Sequence, residues 1–244
     1  MSGGVLGGGV LSTGVLSTGV LSSDVSIPLW ANLLAVGIGS LQGALFAAQF
    51  RDRRLDLLGV AIIGVATGFG GGVLRDLLLN EVPKALLSNW YLPVATASAL
   101  IGMLLERLFS RIQPLITGLD ALTIGLFGAI GTTAALGVGL PAVPAIFVGA
   151  VSAVGGSVLR DLLLSVPIAL MQVGSLYAVA ALLGSATLVL LVALGAPAVV
   201  AAIACVVVTF VVRVLAVLFN WSLPEQRALR RGRGLGRGAR RTRR

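Results

Sequence analysis

Histidine is absent from the 244 residues, and cysteine occurs once, as Cys205. Without histidine the chain lacks the commonest general base, proton shuttle and metal ligand. Metal sites built from thiolate or imidazole are excluded, and one cysteine cannot form an internal disulfide. Cys205 lies inside an apolar run and reads as a small buried residue. Charge is scarce too: 11% of residues carry one, against about 25% in a typical soluble domain. No nucleophile–base pair or metal constellation appears, so the chain reads as a non-enzyme with no catalytic residue and no cofactor.

What is present is hydrocarbon. No charge occurs in Val25–Phe50, Leu57–Leu74, Ala85–Leu105, Ala121–Leu159 or Leu162–Val212. A membrane-spanning helix needs roughly 20 apolar residues. The first three intervals therefore hold one span each. The last two hold two each, turning at Gly139-Leu140-Pro141 and at Gly195-Ala196-Pro197. Transmembrane strands would require alternating segments of about 10 residues, whereas Leu182–Leu194 is apolar on every face. The expected fold class is an all-α integral membrane protein with seven transmembrane helices.

Residues 1–26 form a low-complexity leader, in which Val-Leu recurs every five residues from Val5-Leu6 to Val20-Leu21. No Lys or Arg precedes Arg51, so the basic region of a secretory signal is missing. The leader is expected to be disordered, with the first span starting at Ile27-Pro28 and Trp30 at the interface. Arg51, Arg53, Arg54, Arg107, Arg111 and the C-terminal tail fall on one side of the membrane, and Lys84 alone on the other. Cytoplasmic loops carry the Lys/Arg excess. The expectation is a multi-pass plasma-membrane protein with its N-terminus outside and its C-terminus in the cytoplasm. The tail at 223–244 holds nine arginines from Arg227 onward. It reads as a solvated segment touching anionic lipid, at roughly 1 kcal/mol per near-surface charge, without specific nucleic-acid binding.

One motif occurs twice. Gly70-Gly71-Gly72-Val73-Leu74-Arg75-Asp76-Leu77-Leu78-Leu79 is matched 85 residues later by Gly155-Gly156-Ser157-Val158-Leu159-Arg160-Asp161-Leu162-Leu163-Leu164. Gly43-Ala44 and Gly64 recur at the same offset as Gly128-Ala129 and Gly149; Pro83 and Tyr91 correspond to Pro167 and Tyr177 after small shifts. Three spans separate the copies, so the units have opposite topology. The units are 27–111 and 112–196, followed by a seventh helix at 197–222. Inverted repeats mark many transport proteins, whose sites lie where a helix of each repeat is broken. Three successive glycines invite a break or kink in spans two and five, which become candidate pore-lining helices. Close helix packing is the competing use of the same glycines.

Arg75-Asp76 and Arg160-Asp161 follow the glycine clusters. Charges at membrane depth are expensive and tend to be functional. Adjacent helical residues do not face one another. Each arginine is therefore expected to pair elsewhere, with freed carbonyls or with a carboxylate of another helix. Arg75 and Arg160 then brace the broken helices, and Asp76 and Asp161 lock the repeats or face the aqueous path; a plain salt bridge is the alternative. Asp120 opens span four, where the helix dipole favours a carboxylate. Lys84 is a snorkelling cation or a charge at the outer mouth. Arg213 in span seven is expected to snorkel toward the inner interface.

The doubled Gly-Gly-x-x-Leu-Arg-Asp-Leu-Leu-Leu, Pro83, Pro167 and the run Arg53–Gly59 resemble the bacterial branch of the trimeric intracellular cation (TRIC) channels, also described as a duplicated glycine transporter family. The resemblance covers Ile27–Asn220. It implies two inverted three-helix repeats plus a seventh helix, homotrimers, and a pore within each subunit that conducts monovalent cations, chiefly potassium. It places kinks of the pore-lining second and fifth helices at Gly70, Gly71, Gly72, Gly155 and Gly156. Ser157 departs from the family's third glycine, and Ala35 stands where its first repeat often has an acidic residue, while Asp120 keeps the second. A secondary transporter for glycine or another small amino acid, and a non-transporting scaffold with dry, packed glycine clusters, remain as competing functions.

Overall fold

The computed structural model describes residues 27–50, 55–109, 113–171, 176–219 and 221. The leader at 1–26, the basic stretches at 51–54 and 110–112, and the arginine tail lie outside the described residues. Those described are all helical, with no strand among them. The order is α1 (Leu29–Ala48), α2 (Leu57–Leu78), the single turn α3 (Lys84–Leu87), α4 (Tyr91–Phe109), α5 (Gln113–Gly137), α6 (Ala142–Leu163), a 3-10 turn (Ala169–Met171), α7 (Tyr177–Ala193) and α8 (Ala198–Leu218). α1, α2, α5, α6 and α8 are long and apolar enough to cross a bilayer. Tyr91–Glu106 and Tyr177–Ala193 are apolar but shorter.

Both expected turns are present, and their chemistry is local. Gly139 and Gly195 adopt φ of 81° and 85°, the left-handed conformation that spares glycine a Cβ clash. Leu140 N–H reaches back to Ala135 O at 3.1 Å, and Ala196 N–H to Leu191 O at 2.9 Å, closing the ends of α5 and α7 as Schellman caps. Pro141 and Pro197 then start α6 and α8. α2 and α6 end the same way on non-glycine residues, Asn80 at φ 56° and Ser165 at φ 47°.

The packing is inside-out relative to a water-soluble bundle. Ala35, Ala44, Ala95, Ala99, Ala121 and Ala180 are fully buried, while Leu57, Leu86, Leu104 and Val143 are largely exposed. Lipid tails are as apolar as leucine, so large side chains gain nothing by turning inward, and small residues let helices approach. α1, α2 and α4 pack together, as do α5, α6 and α7. α8 lies on α5 and α7.

α2 joins the two groups by packing on α6, and the glycine clusters are the contact. A Cβ at Gly71 would collide with the Ser152 carbonyl, and one at Gly156 with the Thr67 carbonyl. A Cβ at Gly70 would stand 2.9 Å from Gly156 Cα. Thr67 thus meets Gly156 and Gly71 meets Ser152, so the two helices run antiparallel. Of the expected break or kink, a break is absent: α2 and α6 run as continuous α-helices through both clusters. Lipid cannot hydrogen-bond freed backbone groups, and here the partner helix occupies the space that glycine leaves. Gly72 differs, since a Cβ there would meet nothing nearer than 4.0 Å. Gly71→Ala and Gly156→Ala should each destabilise by about 1–3 kcal/mol through overpacking. Gly72→Ala should stabilise by up to about 1 kcal/mol through helix propensity. Thermal melting in detergent checks the contrast; equal effects at all three positions would overturn the packing assignment.

Candidate functional site

Beyond the glycine crossing, each helix ends in a buried ion pair. Arg75 Nη2 lies 2.7 Å and Nε 2.8 Å from Asp76 Oδ1. Both residues are at most 2% exposed. The other carboxylate oxygen, Oδ2, accepts the Lys84 backbone N–H at 2.8 Å. Lys84 begins α3, so Asp76 caps that turn at its N-terminus. The Lys84 side chain lies partly exposed, with Nζ 3.8 Å from Glu81.

The second motif repeats this geometry. Arg160 Nε and Nη2 donate to Asp161 Oδ1 at 2.9 and 2.8 Å. Asp161 Oδ2 accepts the Ala169 N–H at 2.9 Å, at the start of the 3-10 turn. Each arginine thus pairs first with its chain neighbour, contrary to expectation, and only Arg160 also has the expected carboxylate of another helix, Asp120. Cβ directions of adjacent residues diverge, but the arginine stem is long enough to curl back onto the next carboxylate. Each pair is thereby a staple that ties a helix end to the loop behind it.

The two ends differ in what surrounds them. Beside Arg75 lies a cavity of about 20 Å³ lined by Asn32, Gly72, Arg75, Lys84, Tyr91 and Phe127, among others. That is room for about one water molecule. At the opposite end of the α2–α6 pair, Arg160 meets a larger polar cluster. Its guanidinium stacks 3.8 Å from the Phe46 ring centroid. Its Nη1 stands 3.9 Å from Asp120 Oδ1 on α5. That same oxygen accepts from the Tyr177 hydroxyl at 3.0 Å and the Gln42 amide at 3.3 Å. Asp120 Oδ2 receives Arg213 Nη2 of α8 at 3.5 Å. Arg213 also lies 4.7 Å over the Tyr177 ring. It does not snorkel: at 9% exposure it points into the bundle, where a carboxylate compensates its charge.

Ser157, the counterpart of Gly72, is buried and donates to the Val154 carbonyl at 2.7 Å. The candidate residues therefore fall into three groups. Gly70, Gly71, Gly155 and Gly156 make the crossing. Gly72, Arg75, Asp76 and Lys84 surround the small cavity. Ser157, Arg160, Asp161 and Asp120 lie at the other end. Gln42, Phe46, Tyr177 and Arg213 join the last group unforeseen. Among the described residues, no group of three or more His, Cys, Asp or Glu side chains could hold a metal ion.

Comparison with known proteins agrees with this architecture. The family model described as Glycine transporter matches residues 29–107 and 117–193. A UPF0126 membrane protein of Deinococcus radiodurans is 32% identical over 66% of this chain and 75% of its own length. The UPF0126 membrane protein YvgT of Bacillus subtilis is 32% identical over 81% and 96%. A solved TRIC cation channel superposes with a TM-score of 0.71 at 31% identity, covering 81% of this chain and 96% of that one. The TRIC orthologue from Rhodobacter sphaeroides gives 0.72 at 30% identity, covering 79% and 97%. These relatives are membrane proteins and channels, not enzymes. The chain belongs to the Glycine transporter (UPF0126) family and is a membrane protein with the fold of the TRIC cation channels.

Proposed function

We propose that this chain is a channel for monovalent cations, chiefly potassium, with a pore inside each subunit of a homotrimer. The observation that carries the reading is the antiparallel crossing of α2 and α6 between two buried charge clusters, in a chain 31% identical to a TRIC cation channel along 96% of that channel's length. Seven helices, α1, α2 and α4 to α8, cross the bilayer as two inverted units, 27–111 and 112–196, plus the helix at 197–222. The shortness of α4 and α7 fits: α3 and the 3-10 turn take up chain before each begins. The N-terminus lies outside and the arginine tail lies in the cytoplasm against anionic lipid of the plasma membrane. Potassium is the transported ion, and no other cofactor enters.

In the conformation described, the glycine crossing is the shut constriction. The small cavity beside Gly72 and Arg75 is its outer vestibule, and the Asp120 cluster its inner one. Opening separates α2 from α6. The hydroxyls of Ser40 and Ser152, buried beside the crossing without hydrogen-bond partners, supply oxygen to a passing ion. A second reading, a non-transporting scaffold, draws on the same packed crossing. The third, a secondary carrier of glycine, has less support, because unbroken α2 and α6 present no half-helix N-terminus to a substrate carboxylate.

Planar-bilayer recording of purified protein in asymmetric potassium chloride is the test. Discrete steps reversing near the potassium equilibrium potential are expected. Silence from folded protein with saturable glycine uptake in vesicles would establish the carrier, and silence without uptake the scaffold. Gly72→Leu fills the cavity beside Arg75 and should lower unitary conductance, while Gly72→Ala keeps it measurable. Wild-type conductance in Gly72→Leu would move the path away from this cavity.

A further inference from the structure

Arg213 is the one charged residue of α8, which is otherwise apolar but for Thr209, and most of the helix surface faces outward. Its one charge is turned inward onto Asp120. The same carboxylate is approached from the other side by Arg160 of α6. Arg160 already gives Nε and Nη2 to Asp161. Its remaining terminal nitrogen, Nη1, is buried and has no hydrogen-bond partner. The Asp120 oxygen 3.9 Å away lies just outside hydrogen-bond reach. A buried guanidinium N–H without an acceptor is costly, so a small rotation toward Asp120 is favoured once that carboxylate is free to move. What restrains it is the set of groups already on Asp120: the Tyr177 hydroxyl, the Gln42 amide and Arg213.

We propose that Arg213 is a positioning residue for the conduction path. It takes the far oxygen of the shared Asp120 carboxylate and keeps the near one at 3.9 Å from Arg160 Nη1, while Nε and Nη2 of Arg160 stay on Asp161 at the end of α6. The seat of α8 thereby sets the state of the α6 end. When Arg213 withdraws, the carboxylate is left with an uncompensated charge, and Arg160 Nη1 takes it. The two arginines share one counter-ion and back each other up. Their charges and those of Asp120 and Asp161 sum to zero; losing one arginine leaves one guanidinium for two carboxylates, and losing both leaves two buried anions with no cation. The functional half of the inference rests on α6 lining the pore.

The test is a double-mutant cycle on the full chain, read as melting temperature and as single-channel current. Arg213→Gln and Arg160→Gln should each lower the melting temperature, and the double variant should lose more than the sum. Additive losses would overturn the shared counter-ion. If the double variant does not fold, Asp120→Asn with Arg213→Gln decides the point. Removing the second charge relieves the first, so that pair should melt no lower than Asp120→Asn alone; a lower melting point would overturn the proposal. In recordings, Arg213→Gln should change open probability by about threefold or more, the scale of coupling between contacting residues. Arg213→Lys should restore opening, and Arg213→Gln should add nothing in an Asp120→Asn background. Unchanged open probability would overturn the positioning role. A wild-type protein without current would sink the channel reading instead, and the melting cycle alone would then decide whether the carboxylate is shared.

Discussion

Everything in this bundle hangs on two helices whose backbones touch. α2 and α6 meet through Gly70, Gly71, Gly155 and Gly156, and the facing carbonyls of Ser152 and Thr67 leave no room for a Cβ at Gly71 and Gly156. In lipid, helices are not driven together by water, and close dispersion contact is what remains. Glycine gives the closest approach. The crossing brings the α1–α2–α4 group against the α5–α6–α7 group. Because the helices run antiparallel, it also sends Arg75-Asp76 and Arg160-Asp161 to opposite ends of the pair. The position of each charged cluster follows from the glycines that precede it.

The clusters obey a second constraint, that a charge kept out of water must be matched. Arg75 and Asp76 form a closed pair at one end. At the other, Asp120 has no acidic counterpart, since Ala35 is fully buried at the corresponding place. The additional carboxylate is answered by an additional arginine, Arg213, supplied by the helix that belongs to neither copy of the motif. The asymmetry is thus confined to one end and is electrically neutral there.

The helices and their turns were legible in the spacing of charges, because lipid excludes both loops and unpaired ions from its interior. Gly139 and Gly195 were readable because only a left-handed residue closes a helix that sharply. The glycine clusters were readable as special, with close helix packing as one of two possible uses, but nothing local chose between packing and a break. Glycine's propensity cost refers to a helix alone, and here another helix fills the space. Pairing rules drawn from Cβ directions missed the Arg–Asp staples, because arginine reaches much further than its Cβ. Arg213 could have been found by counting: Arg75, Arg160 and Arg213 face Asp76, Asp161 and Asp120, and a third arginine matched to a third carboxylate leaves no charge to snorkel. Gln42 and Phe46 come from α1, far from Asp120 in sequence, and no local pattern marks them. Tyr177 had one weak signal, its correspondence with Tyr91.

Asp76 and Asp161 each cap the backbone N–H of the residue eight positions later, Lys84 and Ala169. The prolines of the two loops do not keep that interval: Pro83 directly precedes the capped residue, while Pro167 stands two before it. The carboxylate, rather than the proline, is therefore the ruler for loop length. Chain inserted between the aspartate and the capped residue would pull the acceptor from its donor at membrane depth. Chain inserted after it costs nothing of the kind. The offset between the copies grows accordingly, from 85 at the aspartates and the capped residues to 86 at Tyr91 and Tyr177. Between the two aspartates and the two tyrosines, the net change in length falls on the far side of a hydrogen bond.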